Sequence, residues 1–342
     1  MGEAMLKEVC PGVFIRDFRT GWYAVPQLNY SYIPGSGRSL MVDAGMPEEV
    51  SPDGLSLMSR DLEELGIRWQ DLDCIITHAH RDHVGLAHIL NEKGARVFVN
   101  PVDMQTREIM EFDFMDQERR EAFYRRLGLK MSAPEVYEEF WKAGDFFVRG
   151  FEHCWEFSWE PMSPGETVSY GDYTFELVPL PGHTRGQMGL LDREKKLIFS
   201  GDQLLNGVAS IVRDSGNYPD ALEDYFTSMR AVKHDYSDCL FIPGHGVPFR
   251  DPGADIDKVV GNYTEKLRII QDCLKNSEKP LCVWGVSRRA YGQFGKEISP
   301  AMRQQFILIW MKTYACLAFL ERRGLVVSKE NEDGVPLWSP AV

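Results

Sequence analysis

The stretch Thr77-His78-Ala79-His80-Arg81-Asp82-His83 constrains this chain more than any other. Three histidines and one aspartate fall within six positions. Leu72-Asp73-Cys74-Ile75-Ile76, just before, is an apolar run of strand length. Val84 to Leu90, just after, reads as a helix start, and the pattern predicts a helix over 84–93. The cluster therefore sits on a short loop between a buried strand and a helix. Residues i and i+2 of an extended segment point the same way. His78 and His80 can then face one centre, while Asp82 and His83, at the turn into the helix, face a second. Imidazole with carboxylate suits zinc, and also iron or manganese when oxygen ligands are added. Packed imidazoles beside a carboxylate gain little unless a cation binds them.

Three more ligand-type residues each follow a short apolar strand. His183, in Pro181-Gly182-His183-Thr184, comes after Phe175–Val178; Asp202, in Ser200-Gly201-Asp202, comes after Leu197–Phe199; His245, in Pro243-Gly244-His245-Gly246, comes after Leu240–Ile242. Ligands taken from the C-terminal ends of several strands can converge on one edge of a layered α/β fold. Five of the 8 histidines fall in this set, and His88, His153 and His234 read as structural or surface groups.

The rest of the chain is organised around these strands. Val13–Ile15, Asn29–Ile33 and Ser39–Asp43 read as strands, and Leu55–Leu65 as an amphipathic helix ended by Gly66. Arg96–Val99 is a strand, and Thr167–Tyr170 with Tyr173–Val178 reads as a hairpin. Ala221–Val232 is a helix. Between them, residues 102–160 look like a helical insertion with helical spacing at Phe112 and Met115 and at Phe123, Arg126 and Leu127. Its aromatics fit either a self-contained small core or a wall over the site formed by Trp141, Phe146, Phe147, Trp155 and Trp159. On this pattern the first domain covers 1–254. The pattern shifts over residues 255–342, where Ile256–Leu274 is helical, Glu297–Leu320 holds one or two helices, and two short strands flank the polar turn Asn331–Gly334. Helices followed by a small hairpin make a winged-helix-like C-terminal domain.

Composition weighs against several classes. A net charge of −13 disfavours nucleic acid and anionic membrane surfaces as partners. The 7 cysteines are scattered without a CxxC pair, so no disulfide framework is expected. The N-terminal ten residues lack a signal-type apolar core, and Phe306–Leu320 is too short and interrupted to span a bilayer. A cytoplasmic protein with no membrane association is the expectation, with a homodimer left open.

Taken together, Val42-Asp43-Ala44-Gly45, Thr77–His83 with Gly85, Pro181–Thr184, Ser200–Asp202 and Pro243–Gly246 make the chain resemble the metallo-β-lactamase-fold hydrolases, most of all the glyoxalase II and LACTB2-like branch. The resemblance covers most of residues 10–250 and implies a four-layer αββα sandwich. It also implies two divalent metal ions, with zinc favoured and iron or manganese open. His78, His80 and His183 would hold one, Asp82, His83 and His245 the other, Asp202 would bridge them, and Asp43 would orient a ligand. A hydroxide held between the cations would attack a small thioester or ester, with Asp82 orienting it and shuttling a proton to the leaving group. The alternative is a metal-dependent phosphodiesterase or endoribonuclease using the winged-helix-like tail on nucleic acid. No G-x-S-x-G elbow is present, which argues against serine chemistry. The C-terminal region lacks an obvious Lys/Arg–Tyr set for gripping glutathione.

Overall fold

The computed structural model describes residues 5–21, 25–106, 114–142, 151, 153–206, 210–214, 216–292 and 300–341. Phe112, Phe146, Phe147 and Glu297, which carry expectations above, lie outside the described residues. The chain divides into two compact units, Met1–Ile109, Gly150–Ser210 and Ser228–Ile256 in the first, and Met110–Arg149, Ile211–Thr227 and Asp257–Val342 in the second.

Two sheets organise the first unit. One contains β1 (Lys7–Cys10), β2 (Val13–Phe18), β3 (Leu28–Ile33), β4 (Ser39–Val42), β5 (Leu72–Ile76), β6 (Arg96–Val99) and β7 (Glu160–Pro161), in that spatial order. Neighbours are antiparallel from β1 to β4 and parallel from β4 to β7. The other contains β8 (Thr167–Tyr170), β9 (Tyr173–Pro179), β10 (Met188–Asp192), β11 (Leu197–Gly201) and β12 (Leu240–Pro243), in the order β12-β11-β10-β9-β8. Parallel neighbours need a crossover, and helices supply it. Helix α1 (Asp53–Glu64) joins β4 to β5, and α2 (Arg81–Val84) with α3 (Ala87–Glu92) joins β5 to β6.

Side chains from the two sheets share one core: Ile15, Val42 and Ile75 from the first meet Phe175, Leu190 and Phe199 from the second. In β9 the period of two is plain, with Phe175 and Leu177 buried while Thr174 is exposed. β5 and β11 are buried along their whole length, which is why they read as apolar runs. β9 and β11 each run antiparallel to β10, and β12 runs parallel to β11, so three strands of this sheet end on the same edge. The result is the α/β sandwich expected.

Two expectations need correction. The single helix over 84–93 is two helices, because Gly85 donates its N–H to the Gly45 carbonyl (2.7 Å) and Leu86 to that of Ala44 (3.2 Å). The loop after β4 captures donors that would continue the helix. The first of the two helices starts at Arg81, which puts Asp82 and His83 in its first turn. Strand β1 and the helix Val283–Tyr291 were not anticipated; β1 is a short, largely exposed edge with little alternation to read.

In the second unit, the helices Gln117–Leu127, Leu129–Ser132 and Pro134–Lys142 belong with the C-terminal helices Val283–Tyr291 and Pro300–Arg322. Asp116 caps the first of them by accepting from the Arg119 N–H (2.8 Å). The Phe140 ring centre lies 4.8 Å from that of Trp310, which also meets Trp284 at 5.6 Å. Phe140 of the insertion thus packs into a core shared with the C-terminal helices rather than a self-contained one, while Phe151 and Trp155, near the insertion's end, belong to the first unit. A hairpin, Val326–Glu330 with Pro336–Pro340, follows as expected. No helix among the described residues is long and apolar enough to cross a membrane.

Candidate metal centre

The site is assembled from loops that follow strands of both sheets in the first unit. Asp43 follows β4 at φ +65°, a left-handed conformation that aspartate tolerates better than most residues. Its buried carboxylate accepts from the Thr77 N–H (2.7 Å) and hydroxyl (3.0 Å), and from His83 Nδ1 (2.8 Å). A carboxylate only accepts, so His83 carries its proton on Nδ1 and turns Nε2 towards the centre. His245 Nδ1 donates to the Gln27 carbonyl (2.6 Å), with the same consequence. The Nδ1 atoms of His78 and His183 sit 3.1 Å from the hydroxyls of Thr77 and Ser210. His80 is the exception, since its Nδ1 lies 2.9 Å from His183 Nε2.

Around Asp202 the remaining donors crowd together. Its Oδ2 lies 3.2 Å from His245 Nε2 and 3.6 Å from His183 Nε2, and its Oδ1 lies 3.5 Å from His83 Nε2. Asp82 Oδ2 is 3.4 Å from His245 Nε2 and 3.9 Å from His83 Nε2. Three groups bring ligand atoms within 4.8 Å of one another: His78/His80/His183, His78/His83/Asp202 and Asp82/His83/His245. Gly244 makes room, because a Cβ there would stand 2.7 Å from both Asp202 Oδ1 and His83 Cε1.

Divalent cations fit this donor set. His78 Nε2, His83 Nε2 and Asp202 Oδ1 are buried polar atoms without a hydrogen-bond partner, an arrangement that costs free energy unless something positive joins them. Protons act as that charge when no cation is present. Burial opposes a charge on His245, yet Asp202 and Asp82 outweigh it and push the imidazole up to about 10. Burial likewise opposes charge on His83, and Asp43, Asp202 and Asp82 raise it well above the usual histidine range. His78 goes the other way, lowered by burial and by His83 and His183. Burial disfavours the ionised forms of Asp82 and Asp202, but His83 and His245 hold both carboxyls below their usual range.

All seven residues expected at the centre lie together: His78, His80, Asp82, His83, His183, Asp202 and His245. His153 and His234 are exposed beside Glu156 and Asp235, His88 is half-buried, and none of the three belongs to a ligand group. Several partners were not anticipated. Ser210 and Gln27 orient histidines from loops with no motif, and Asp103 ties two of the loops together. Trp155, from the end of the insertion, donates its indole N–H to the Ala79 carbonyl (2.9 Å) between His78 and His80. Phe151 lies under the Arg81 guanidinium, 4.4 Å from ring centre to Cζ.

A family model described as the metallo-beta-lactamase superfamily matches residues 24–245, and the chain belongs to that superfamily. It is 28% identical over 186 residues to the hydroxyacylglutathione hydrolase GloC of Haemophilus influenzae, spanning 54% of this chain and 72% of that one. To the acyl-coenzyme A thioesterase MBLAC2 of Gallus gallus it is 26% identical over 242 residues, 70% of this chain and 79% of the relative. A crystal structure of a beta-lactamase domain protein from Burkholderia ambifaria shares the fold, with a TM-score of 0.78 at 21% identity over 98% of this chain and 93% of the other.

Proposed function

We propose that the chain is a metal-dependent hydrolase that holds two divalent cations and cleaves a small thioester or ester. The observation that carries this reading is Asp202, a buried carboxylate whose two oxygens face His83 on one side and His183 and His245 on the other. His78, His80 and His183 would hold one cation and Asp82, His83 and His245 the other, with Asp202 between. Such a pair, when bound, makes water nucleophilic near neutral pH and polarises a carbonyl oxygen. Zinc suits five imidazoles, and the aspartates leave iron or manganese open.

The chain's own residues supply orientation and proton transfer. Asp43, Gln27 and Thr77, whose hydroxyl already donates to Asp43, accept from the Nδ1–H of His83, His245 and His78, which would leave their Nε2 atoms free to bind a cation, and Ser210 lies beside His183 Nδ1. Asp82 is ionised at neutral pH, so its Oδ2 can take a proton from the attacking water and return it to the departing sulfur or oxygen. Trp155, bonded to the Ala79 carbonyl between two of the histidines, would supply apolar wall area suited to a small acyl group. The thioester preference is supported by two relatives, one a hydroxyacylglutathione hydrolase and the other an acyl-coenzyme A thioesterase. Free thiols at all seven cysteines fit a reducing compartment such as the cytoplasm. The test is metal analysis of purified protein followed by a panel of thioesters, lactones and bis-p-nitrophenyl phosphate. Metal-dependent turnover of a thioester is expected, and turnover of the phosphodiester alone would replace this reading with the nuclease one.

A further inference from the structure

Asp103 stands 2% exposed in helix α4 (Pro101–Thr106), which begins just after β6. It belongs to none of the ligand groups. Three donors converge on it. Its Oδ2 accepts from the Ala79 N–H (3.1 Å) and the Thr184 hydroxyl (2.8 Å), and its Oδ1 accepts from the Gly186 N–H (2.6 Å). Ala79 is the residue between His78 and His80, and Thr184 directly follows His183. One carboxylate therefore clasps both loops of the three-histidine group.

The surroundings are built to keep this clasp. Asn100, three residues earlier, donates from Nδ2 to the Gly186 carbonyl (2.7 Å), so Gly186 is held by both its N–H and its C=O. A Cβ at Gly186 would fall 2.6 Å from Asp103 Oδ1, so only glycine lets the backbone approach this closely. The Ala79 peptide is gripped likewise, its N–H by Asp103 and its C=O by Trp155. Among the described residues three donors face the side chain, and a carboxylate is the group that satisfies them all.

We propose that Asp103 is a positioning residue for the three-histidine centre: it sets the spacing between the His78–His80 loop and the His183 loop, and so the affinity of that centre for its cation. This rests on the two-cation reading above. An asparagine shows why the charge type matters. With its oxygen towards Gly186, its amide N–H groups oppose the Ala79 N–H; with its oxygen towards Ala79 and Thr184, they oppose the Gly186 N–H. Either way one buried donor loses its partner and one loop moves away. The Asp82/His83/His245 group does not depend on this clasp, because Asp43 and Gln27 orient its histidines.

The experiment is competition for cobalt(II) between a chromophoric chelator and the full chain, with the visible spectrum reporting each centre. For Asp103→Asn, the affinity of the His78/His80/His183 centre should fall by about 10- to 100-fold, the range for removing a group that orients ligands. The other centre should change by less than about threefold. Thr184→Val deletes one of the three bonds and should weaken the same centre by a few-fold, which keeps the test open if Asp103→Asn folds poorly. Equal loss at both centres, or no loss at either in a folded variant, overturns the positioning role while leaving the two-cation reading standing. A wild-type chain that binds no cobalt overturns both.

Discussion

Asp43→Asn isolates what the buried carboxylate does for His83. Asparagine keeps the shape and tolerates the left-handed backbone, whereas alanine at φ +65° adds about 1–2 kcal/mol of backbone cost. Asp43 Oδ1 accepts from the Thr77 N–H, and Oδ2 accepts from the Thr77 hydroxyl and His83 Nδ1. If the amide oxygen stays with the Thr77 N–H, an amide N–H group faces His83 Nδ1. The imidazole must then accept at Nδ1 and carry its proton on Nε2, where it would bind metal. If the amide turns round, two buried N–H groups oppose each other, at about 1–3 kcal/mol. Both arrangements point to a loss of about 10- to 100-fold in cation affinity at the Asp82/His83/His245 centre, or roughly 1.4–2.7 kcal/mol. Chelator competition reads this directly, with thermal unfolding as the control for fold. Unchanged affinity in a folded Asp43→Asn chain would refute the claim that this hydrogen bond sets the tautomer.

Three further outcomes follow from other parts of the structure. In the metal-free chain, His245 is raised to about 10 and His83 is raised as well, so their stabilising contribution is full below the unfolded value of about 6.5 and fades as pH rises through the folded one. Cations must displace these protons, so affinity should rise between about pH 6 and about pH 9 with proton release into buffer; calorimetry showing neither would contradict it. Asp61 sits fully buried and takes the Arg16 Nε at 2.6 and 2.8 Å and the Tyr32 hydroxyl at 3.2 Å, so Asp61→Ala should cost about 3–5 kcal/mol in denaturant unfolding. A loss under about 1 kcal/mol would mean the pair is incidental. Trp155→Ala removes both the wall and the bond to Ala79, and should raise KM for small acyl substrates and admit bulkier ones. Unchanged substrate range in a metal-loaded variant would make Trp155 a structural residue only.

Much of the site was legible because its ligands sit beside strong strand signals. β5 and β11 are mostly apolar and buried along their whole length, and each leads straight to a ligand loop. The His-x-His spacing carries its own geometry, since i and i+2 share a side in extended backbone. The partners behind the ligands were less visible for a physical reason. Asp103 meets Ala79 and Gly186 across separations of 24 and 83 residues, and Gln27 meets His245 across 218. Hydrogen bonds of that kind leave no local pattern. The helix break at Gly85 was missed for the same reason, because a distant loop captured its donors. Within the insertion, periodicity gave the helices, but the partner of Phe140 is Trp310, far along the chain.

Thioester turnover measured against bound metal per chain, starting from chelator-stripped protein, tests the two-cation hydrolase most directly. The rate should rise with loading and level off at about two ions per chain. Asp202→Ala, still folded, should neither retain two ions nor reach that rate. Full turnover in the stripped chain, or a plateau at two ions with near-normal rate in Asp202→Ala, would contradict a metal-bridged hydrolase.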